Sequence, residues 1–552
     1  MMYLPHALSF AAGFLSLSQE ILWTRLIGFS LGGVPQAFAF VLATYLLGIA
    51  LGADIGKDLC RRAAAAAPAD RERTLLRTCG WVLVVAAGID AVGPWIFAVT
   101  HGSLLASGVA CMVMITTALA KSVLFPIVHQ LGAGSNASRL GRGFSRVYFA
   151  NIIGSTCGPL LTGFILLDLV SLQAALALVA VVTGVIGLSL LLLLPAPRAA
   201  LMPAVVPKAA SRRQEFILRA FTPPPRRGLV AGGGIVTLLA AVATVGPGNL
   251  IQTVVTNGYA RNTELSSTTI RHLIENRHGI VHTLADDRRG DVVFGDGVYD
   301  GRINLDLATN ANRIDRAYIA AAIKHDARRI LVIGLSAGPW TRLLLELPNV
   351  ERVDAIEINP GYVELITRYP VVRPLLADPR LVVHVDDGRR WLKRHPDARY
   401  DLIVMNTSVS WRAYATNLLS RDFLEIARRH LNPGGVVNYN ASVSDDAVKT
   451  ATAVFAHVRR YTNSVLASDT PFLPQTPEIE RRLQALTLDG KPLLAASDPK
   501  LRAITASIAA GPFVTTEEIE RQAKRKLEII TDRNMITEFK YGRSDFAAYQ
   551  QE

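Results

Sequence analysis

The sequence predicts a multi-pass α-helical membrane domain followed by an α/β domain built on a parallel, doubly wound sheet, and three observations carry that reading. Half of the 552 residues are hydrophobic, but they are unevenly spread. Long apolar runs fill the chain to about Val245, and beyond it strand-like and helix-like segments alternate at the spacing of βαβ units. Within that second half, RILVIGLSAGPWTRLLLELPNVERVDAIEIN, Arg329 to Asn359, reads as strand, glycine turn, helix and strand, ending in an acid.

In the first half, seven segments are candidates to span, at about 7–29, 36–56, 78–99, 104–128, 147–167, 171–194 and 229–246. Most are near the roughly 20 residues a bilayer requires. The first is too long, and too polar at Gln19, Glu20 and Arg25, for a cleaved signal peptide, so it is expected to be retained. The loops near 57–77, 131–146 and 196–228 are basic, while those near 30–35, 100–103 and 168–170 have no Lys or Arg. By the positive-inside rule the basic loops and the N-terminus face the cytoplasm, in the inner (plasma) membrane. Seven crossings then place everything after Val245 outside, in the periplasm where the host has one; a seventh segment that does not span would return it to the cytoplasm. Loop charge also accounts for much of the net +13, so nucleic acid is not an expected partner. The four cysteines all lie in this half without paired or metal-type spacing, and no metal is expected.

Two polar features stand out in these spans. Glu20 is expensive in lipid and is expected to face the bundle and pair with Arg25, either as a cation or amine site or as an ion pair that fixes packing. Asn151, Gly154, Gly158 and Gly163 place an amide and small residues on neighbouring turns, a pattern for close helix packing. The organisation expected is a six-span domain at 1–195, a basic Pro-rich linker at 196–228 along the anionic inner surface, and the seventh candidate at 229–246.

The second half begins with a small antiparallel β unit at 260–310, marked by the turns DDRRGD and FGDGVYDG, and continues as an α/β domain at 311–552. A helix of about Asn312 to Lys324 leads into the strand Ile330 to Ile333. Gly334 and Gly338 then let the backbone turn beside a ligand. The strand Val353 to Ile358 carries Glu357, where nucleotide-binding sheets hold ribose hydroxyls. Strand Leu381 to Val385 runs into Asp386, Asp387 and Gly388, which open a helix, and strand Leu402 to Met405 runs into Asn406. Helix Arg421 to His430 and strand Val436 to Tyr439 follow. Gly334, Gly338, Glu357, Asp387 and Asn406 all fall on the carboxyl rim, where such sheets bind ligands, and outline a nucleoside site.

The runs VIGLSAG, EIN, VDDG, YDLIVMNTS, LLSRDFLEIARRHLNPGGV and ITDRNMITEF, in this order, resemble the spermidine synthase (polyamine aminopropyltransferase) family. SQEILWTRLIG, VLFP and NIIGSTCGPLLTGFIL in the first half resemble its membrane-fused members. The resemblance implies a Rossmann-like, class I methyltransferase fold of the spermidine synthase type. It also implies decarboxylated S-adenosylmethionine as cosubstrate, without metal, and an amine as acceptor. Gly334, Gly338, Glu357, Asp387 and Gly388 would bind the nucleoside, Asn406 would stand at the reaction centre, and Thr407, Trp411, Arg412, Tyr414 and Tyr318 would line the substrate loop.

Against the family pattern, the glycine loop has Ala337 in place of an Asp, and a Tyr-His-Glu group is reduced to Tyr318 followed by Ile319 and Ala320. The Asp-Ser-x-Asp after the fourth strand reads Asn406, Thr407, Ser408 and Val409. Transfer to an amine needs it deprotonated, although an alkylamine has a pKa of roughly 10. A positioned carboxylate contributes about 10²- to 10⁴-fold by taking that proton, and Asn cannot. Trp411, Arg412, Ala413 and Tyr414 form a basic, aromatic loop that would repel a polycation and suit an anionic or aromatic acceptor; the plain alternative is a surface loop packed on the domain. The leading expectation is a membrane-bound transferase of the aminopropyl type acting on a small-molecule amine or other acceptor. Two others stay open: an S-adenosylmethionine-dependent methyltransferase, and a non-catalytic nucleoside- or amine-binding membrane sensor or transporter. Self-association into a homo-oligomer also stays open.

Overall fold

A computed structural model describes residues 3–64, 67–133, 140–194, 248–260, 265–406, 409–442, 444–494 and 497–541. The linker 196–228 and the candidate span 229–246 lie outside them. The chain forms two compact units.

The helical unit takes in Met1–Ser30, Gln36–Glu264 and the short turn Glu275–Arg277. Its helices are α1 (Leu4–Ser30), α2 (Gln36–Ala63), α3 (Pro68–Thr100), α4 (Ala106–Ser122), α5 (Leu124–Ala133), α6 (Leu140–Leu161, prolonged by a π turn), α7 (Leu172–Leu193) and α8 (Leu250–Tyr259). Among the described residues, five stretches are long and apolar enough to cross a membrane: Gln36–Ala63, Ala69–Thr100, Ala106–Ala133, Gly141–Leu169 and Leu172–Leu193. Helix α1 is not among them, so five of the six spans expected before residue 195 meet that standard. Phe38, Leu47, Phe149, Phe164 and Leu193 are each more than half exposed on these helices. So much bare apolar surface suits a lipid environment rather than water.

Inside the bundle, α1 and α6 approach backbone to backbone. A Cβ at Gly154 would lie 2.1 Å from the Phe10 carbonyl oxygen and one at Gly158 2.4 Å from that of Phe14. The Asn151 amide donates to the Ser9 carbonyl at 2.9 Å. The small-residue pattern therefore does pack helices, except at Gly163, whose missing Cβ faces open space.

The α/β unit takes in Leu31–Pro35, Leu265–Ile274 and His278–Glu552. Strands β1 (Ile270–Asn276), β2 (Gly279–Leu284), β3 (Val292–Gly295) and β4 (Val298–Arg302) form a four-stranded sheet in chain order, with a bulge between Val293 and Phe294. Helix α9 (Asp315–Ile323) leads into an eight-stranded sheet ordered β14-β10-β11-β9-β8-β5-β6-β7. Its members are β5 (Arg329–Ile333), β6 (Arg352–Glu357), β7 (Leu381–Val385), β8 (Tyr400–Met405), β9 (Leu431–Asn440), β10 (His457–Tyr461), β11 (Ser464–Ser468) and β14 (Phe513–Val514). A separate two-stranded ribbon pairs β12 (Thr487–Leu488) with β13 (Lys491–Pro492).

The five strands from β7 to β9 are parallel, as the alternation predicts. The edge made by β11, β10 and β14 is antiparallel and was not anticipated. Ile330 and Val332 of β5 join one apolar core while Leu331 and Ile333 join the other, so this strand is buried on both faces and its unbroken apolar run is required. The chain steps from β5 to β6 and β7, then returns to β8 on the far side of β5. That reversal opens a crevice at the carboxyl ends of β5 and β8, the ligand position in open α/β sheets.

Candidate functional site

Gly334 leaves β5 at φ 84° and Gly338 opens helix α10 (Pro339–Leu344) at φ 91°, backbone angles that favour glycine. Between them Ser336 is also left-handed, at φ 49°. What holds it there is Glu357, at the end of β6. Its carboxylate accepts from the Ser336 amide at 3.0 Å and from the Asn359 amide at 3.0 Å. Burial raises the Glu357 pKa to about 7, against the pull of those two amides.

A narrow cleft opens over this turn, lined on one side by Gly334, Ser336, Ala337 and Trp340 and on the others by Asp300 and Asn406. Asp300, the middle residue of β4, accepts from the Ser336 hydroxyl at 2.8 Å and is hydrogen-bonded by Tyr362 of helix α11 (Pro360–Thr367). Burial raises its pKa, with those hydrogen bonds and the Arg412 charge opposing. Asp300 was absent from the residues singled out by sequence. The available signal was the DG pair at 300–301, since Gly301 adopts φ 132°.

Asn406 follows β8, and its carbonyl oxygen would lie 3.4 Å from a Cβ at Gly334, so the two rim positions meet across the switch point. Asp387 caps helix α12 (Gly388–Arg394), accepting from the Arg390 amide at 2.7 Å. At Gly388 an added Cβ would lie 2.5 Å from the Ile333 side chain, so this glycine serves the packing of α12 on β5. Neither Glu357 nor Asp387 lines the open cleft; Glu357 is buried behind the turn.

The residues assigned to the substrate loop are dispersed. Thr407 lies outside the described residues. Arg412 turns inward: it pairs with Asp296 at 3.1 Å. Burial opposes its charge, but Asp296, Tyr362, Asp300 and Glu357 hold its pKa above the ordinary value. Asp296, Asp300 and Glu357 therefore lie close enough to offset part of the charge this arginine gives the loop. Trp411 is half-buried and Tyr414 is 76% exposed, at φ 70°. The Tyr414 and Thr416 amides donate to Glu538 at 3.1 and 2.8 Å, which gives the ITDRNMITEF motif a role in pinning this loop. Tyr318 is fully buried, and its hydroxyl donates to the Leu305 carbonyl at 2.9 Å, in the core rather than the cleft.

In the helical unit, Arg25 donates to the carbonyls of Asn276 and Arg277, and Glu20 acts electrostatically on Tyr45.

Residues 317–491 match the Spermine/spermidine synthase domain. A polyamine aminopropyltransferase of Mycobacterium tuberculosis is 26% identical over 420 residues, 74% of this chain and 71% of that protein. That match is longer than the stretch from Leu265 to Glu552, so it reaches into the apolar helical region. The polyamine aminopropyltransferase of Nitrosomonas europaea is 31% identical over 184 residues, 29% of this chain and 56% of that protein. The crystal structure of spermidine synthase from Thermotoga maritima aligns with a TM-score of 0.37 at 14% identity, over 47% of this chain and 88% of that one. This chain carries a spermine/spermidine synthase family domain preceded by an apolar helical region.

Proposed function

We propose that the α/β unit is a transferase that moves an aminopropyl-type group from decarboxylated S-adenosylmethionine, or a related sulfonium nucleoside, to an amine. The observation that carries this is the excess of acid at the switch point: Asp300 lines the cleft, and Asp296 and Glu357, which do not, act with it on the single Arg412 charge. Such a rim favours cationic ligands, and both the sulfonium and the acceptor are cations. The nucleoside supplies a carbon bonded to positively charged sulfur, which an amine displaces with departure of a neutral thioether. Glu357 accepts from the ribose hydroxyls on the lone pairs its two amide partners leave free. The Asn406 carbonyl oxygen orients the amine. Asp300, which lines the same cleft, takes the proton the amine gives up, the task Asn406 cannot perform.

Calorimetry of the full-length protein with decarboxylated S-adenosylmethionine, S-adenosylmethionine and methylthioadenosine, followed by mass spectrometry of products, tests the reading. Aminopropyl transfer to a diamine, raised further in Asn406→Asp, is the expected result. Transfer of a methyl group instead would favour the methyltransferase reading, to which Ala337 in the glycine turn lends support. Binding without product would favour a sensor.

For the membrane, the loop charges support a cytoplasmic N-terminus and an external α/β unit. Alkaline phosphatase and green fluorescent protein fused after Asn257 test this, phosphatase activity being the expected outcome and fluorescence alone the overturning one.

A further inference from the structure

The helical unit holds an ion pair that the α/β cleft does not use. Asp90 of α3 and Lys121 of α4 meet at 2.8 Å, with side chains 0% and 2% exposed. Gln19 of α1 donates to Asp90 at 2.6 Å and offers its own amide oxygen to Lys121, while the Thr117 hydroxyl also donates to Asp90. Four side chains from three helices thus converge on one carboxylate and one ammonium. As packing this is a poor use of charge, because a buried ion pair rarely outdoes apolar residues of the same volume. In a membrane bundle such groups mark a ligand or ion path by default.

Three further features point to a ligand. A narrow crevice reaches Asp90 between α3, α7 and α8, lined also by Pro94, Trp95, Gln173 and Leu176. Tyr45 of α2, 1% exposed, has a hydroxyl with no hydrogen-bond partner. Tyr45 also lies close enough to Asp90 and Glu20 to feel both carboxylates.

We propose that the helical bundle binds a primary alkylammonium ion at Asp90, and that the Lys121 ammonium occupies this place in the ligand-free state. The structure itself shows what the acceptors take: a primary ammonium held by a carboxylate and an amide oxygen. Glu20 supplies the second negative charge that lets the ligand and Lys121 remain in the bundle together. Trp95 offers an aromatic wall of the kind that suits an organic cation, and Tyr45 gains the partner it lacks. The proposal does not rest on the function assigned to the α/β cleft.

The test is equilibrium dialysis of the full-length protein in lipid nanodiscs with radiolabelled butylamine, comparing the native protein with Lys121→Met and with the charge-balanced Asp90→Asn/Lys121→Met. Native protein should show a binding component that the double variant lacks; whatever binding the double variant keeps belongs elsewhere on the chain. Lys121→Met should bind about tenfold more tightly, since a tethered competitor acts at roughly millimolar effective concentration. Equal binding by the native protein and a monodisperse double variant would overturn the proposal, whether or not Lys121→Met folds. Displacement of the label by sodium at equal concentration would also overturn it, because the site would then be one for inorganic cations.

Discussion

In the helical unit the carboxylate of Asp90 is matched by the Lys121 ammonium 2.8 Å away, whereas at the rim of the α/β sheet Asp296, Asp300 and Glu357 are grouped around Arg412. An unmatched charge among apolar helices is costly, and Asp90 and Lys121 meet as a hydrogen-bonded pair. The rim leaves acid in excess. Burial raises both Asp300 and Glu357 there, a standing cost in the empty protein. A cationic ligand would remove that cost, and this difference between the units is why the rim reads as a binding site awaiting a positive charge.

The largest effect expected tests the rim. Asp300→Asn keeps the size and the Ser336 contact but cannot take a proton, so turnover should fall by about 10²- to 10⁴-fold. Nucleoside affinity should change far less, and product formation followed by mass spectrometry checks the split. Full activity in Asp300→Asn would move the proton acceptor elsewhere.

The next effect tests the bundle. Asp90→Leu leaves Lys121 charged and alone, at a cost of about 3–5 kcal/mol, while Asp90→Leu/Lys121→Met should recover most of the loss. Thermal unfolding in detergent measures both. Equal destabilisation by the single and the double variant would show that charge balance is not what the pair supplies.

A smaller effect follows at Glu357. Truncation to Ala removes a charged acceptor of the ribose and the clamp on Ser336, and should weaken nucleoside binding by about 1.5–3 kcal/mol, roughly 10- to 100-fold. Unchanged calorimetric affinity in a folded variant would count against this acid as the ribose ligand.

These expectations draw unequally on the sequence. The positions of Gly334, Glu357 and Asn406 at strand ends were legible because the apolar runs of those strands are hard to mistake, and β7 was placed at Leu381 to Val385 without error. Asp300 was not, because it reaches the cleft through β4, whose sheet is set by pairings that leave little periodic signal in four- and five-residue strands. The acids facing Arg412 were not legible: its partner Asp296 lies 116 residues earlier, and no local pattern links them. Asp90 and Lys121 are isolated polar residues in apolar helices, and their pairing depends on how α3 and α4 face one another. Each was nonetheless visible as an ionisable residue inside a candidate span, which is reason enough to look for its partner.

The smallest effect sharpens the comparison by pH. A carboxyl group whose pKa rises on folding, from 4.5 to about 7 for Glu357, binds more protons in the folded chain than in the unfolded one across that interval. Its contribution therefore favours folding below about pH 4.5 and is lost as the pH rises through 7. Ligand binding has the opposite sign, because the ribose hydroxyls donate and the ionised carboxylate is the better acceptor. Nucleoside affinity should rise by up to about tenfold across a two-unit interval centred on this pKa, while the stability of the ligand-free protein declines toward the same pH. In Glu357→Gln both dependences should flatten, and calorimetry paired with thermal unfolding over that range reads them together. If affinity and ligand-free stability both rose with pH, neither Glu357 nor Asp300, both raised by burial, would be the group that titrates.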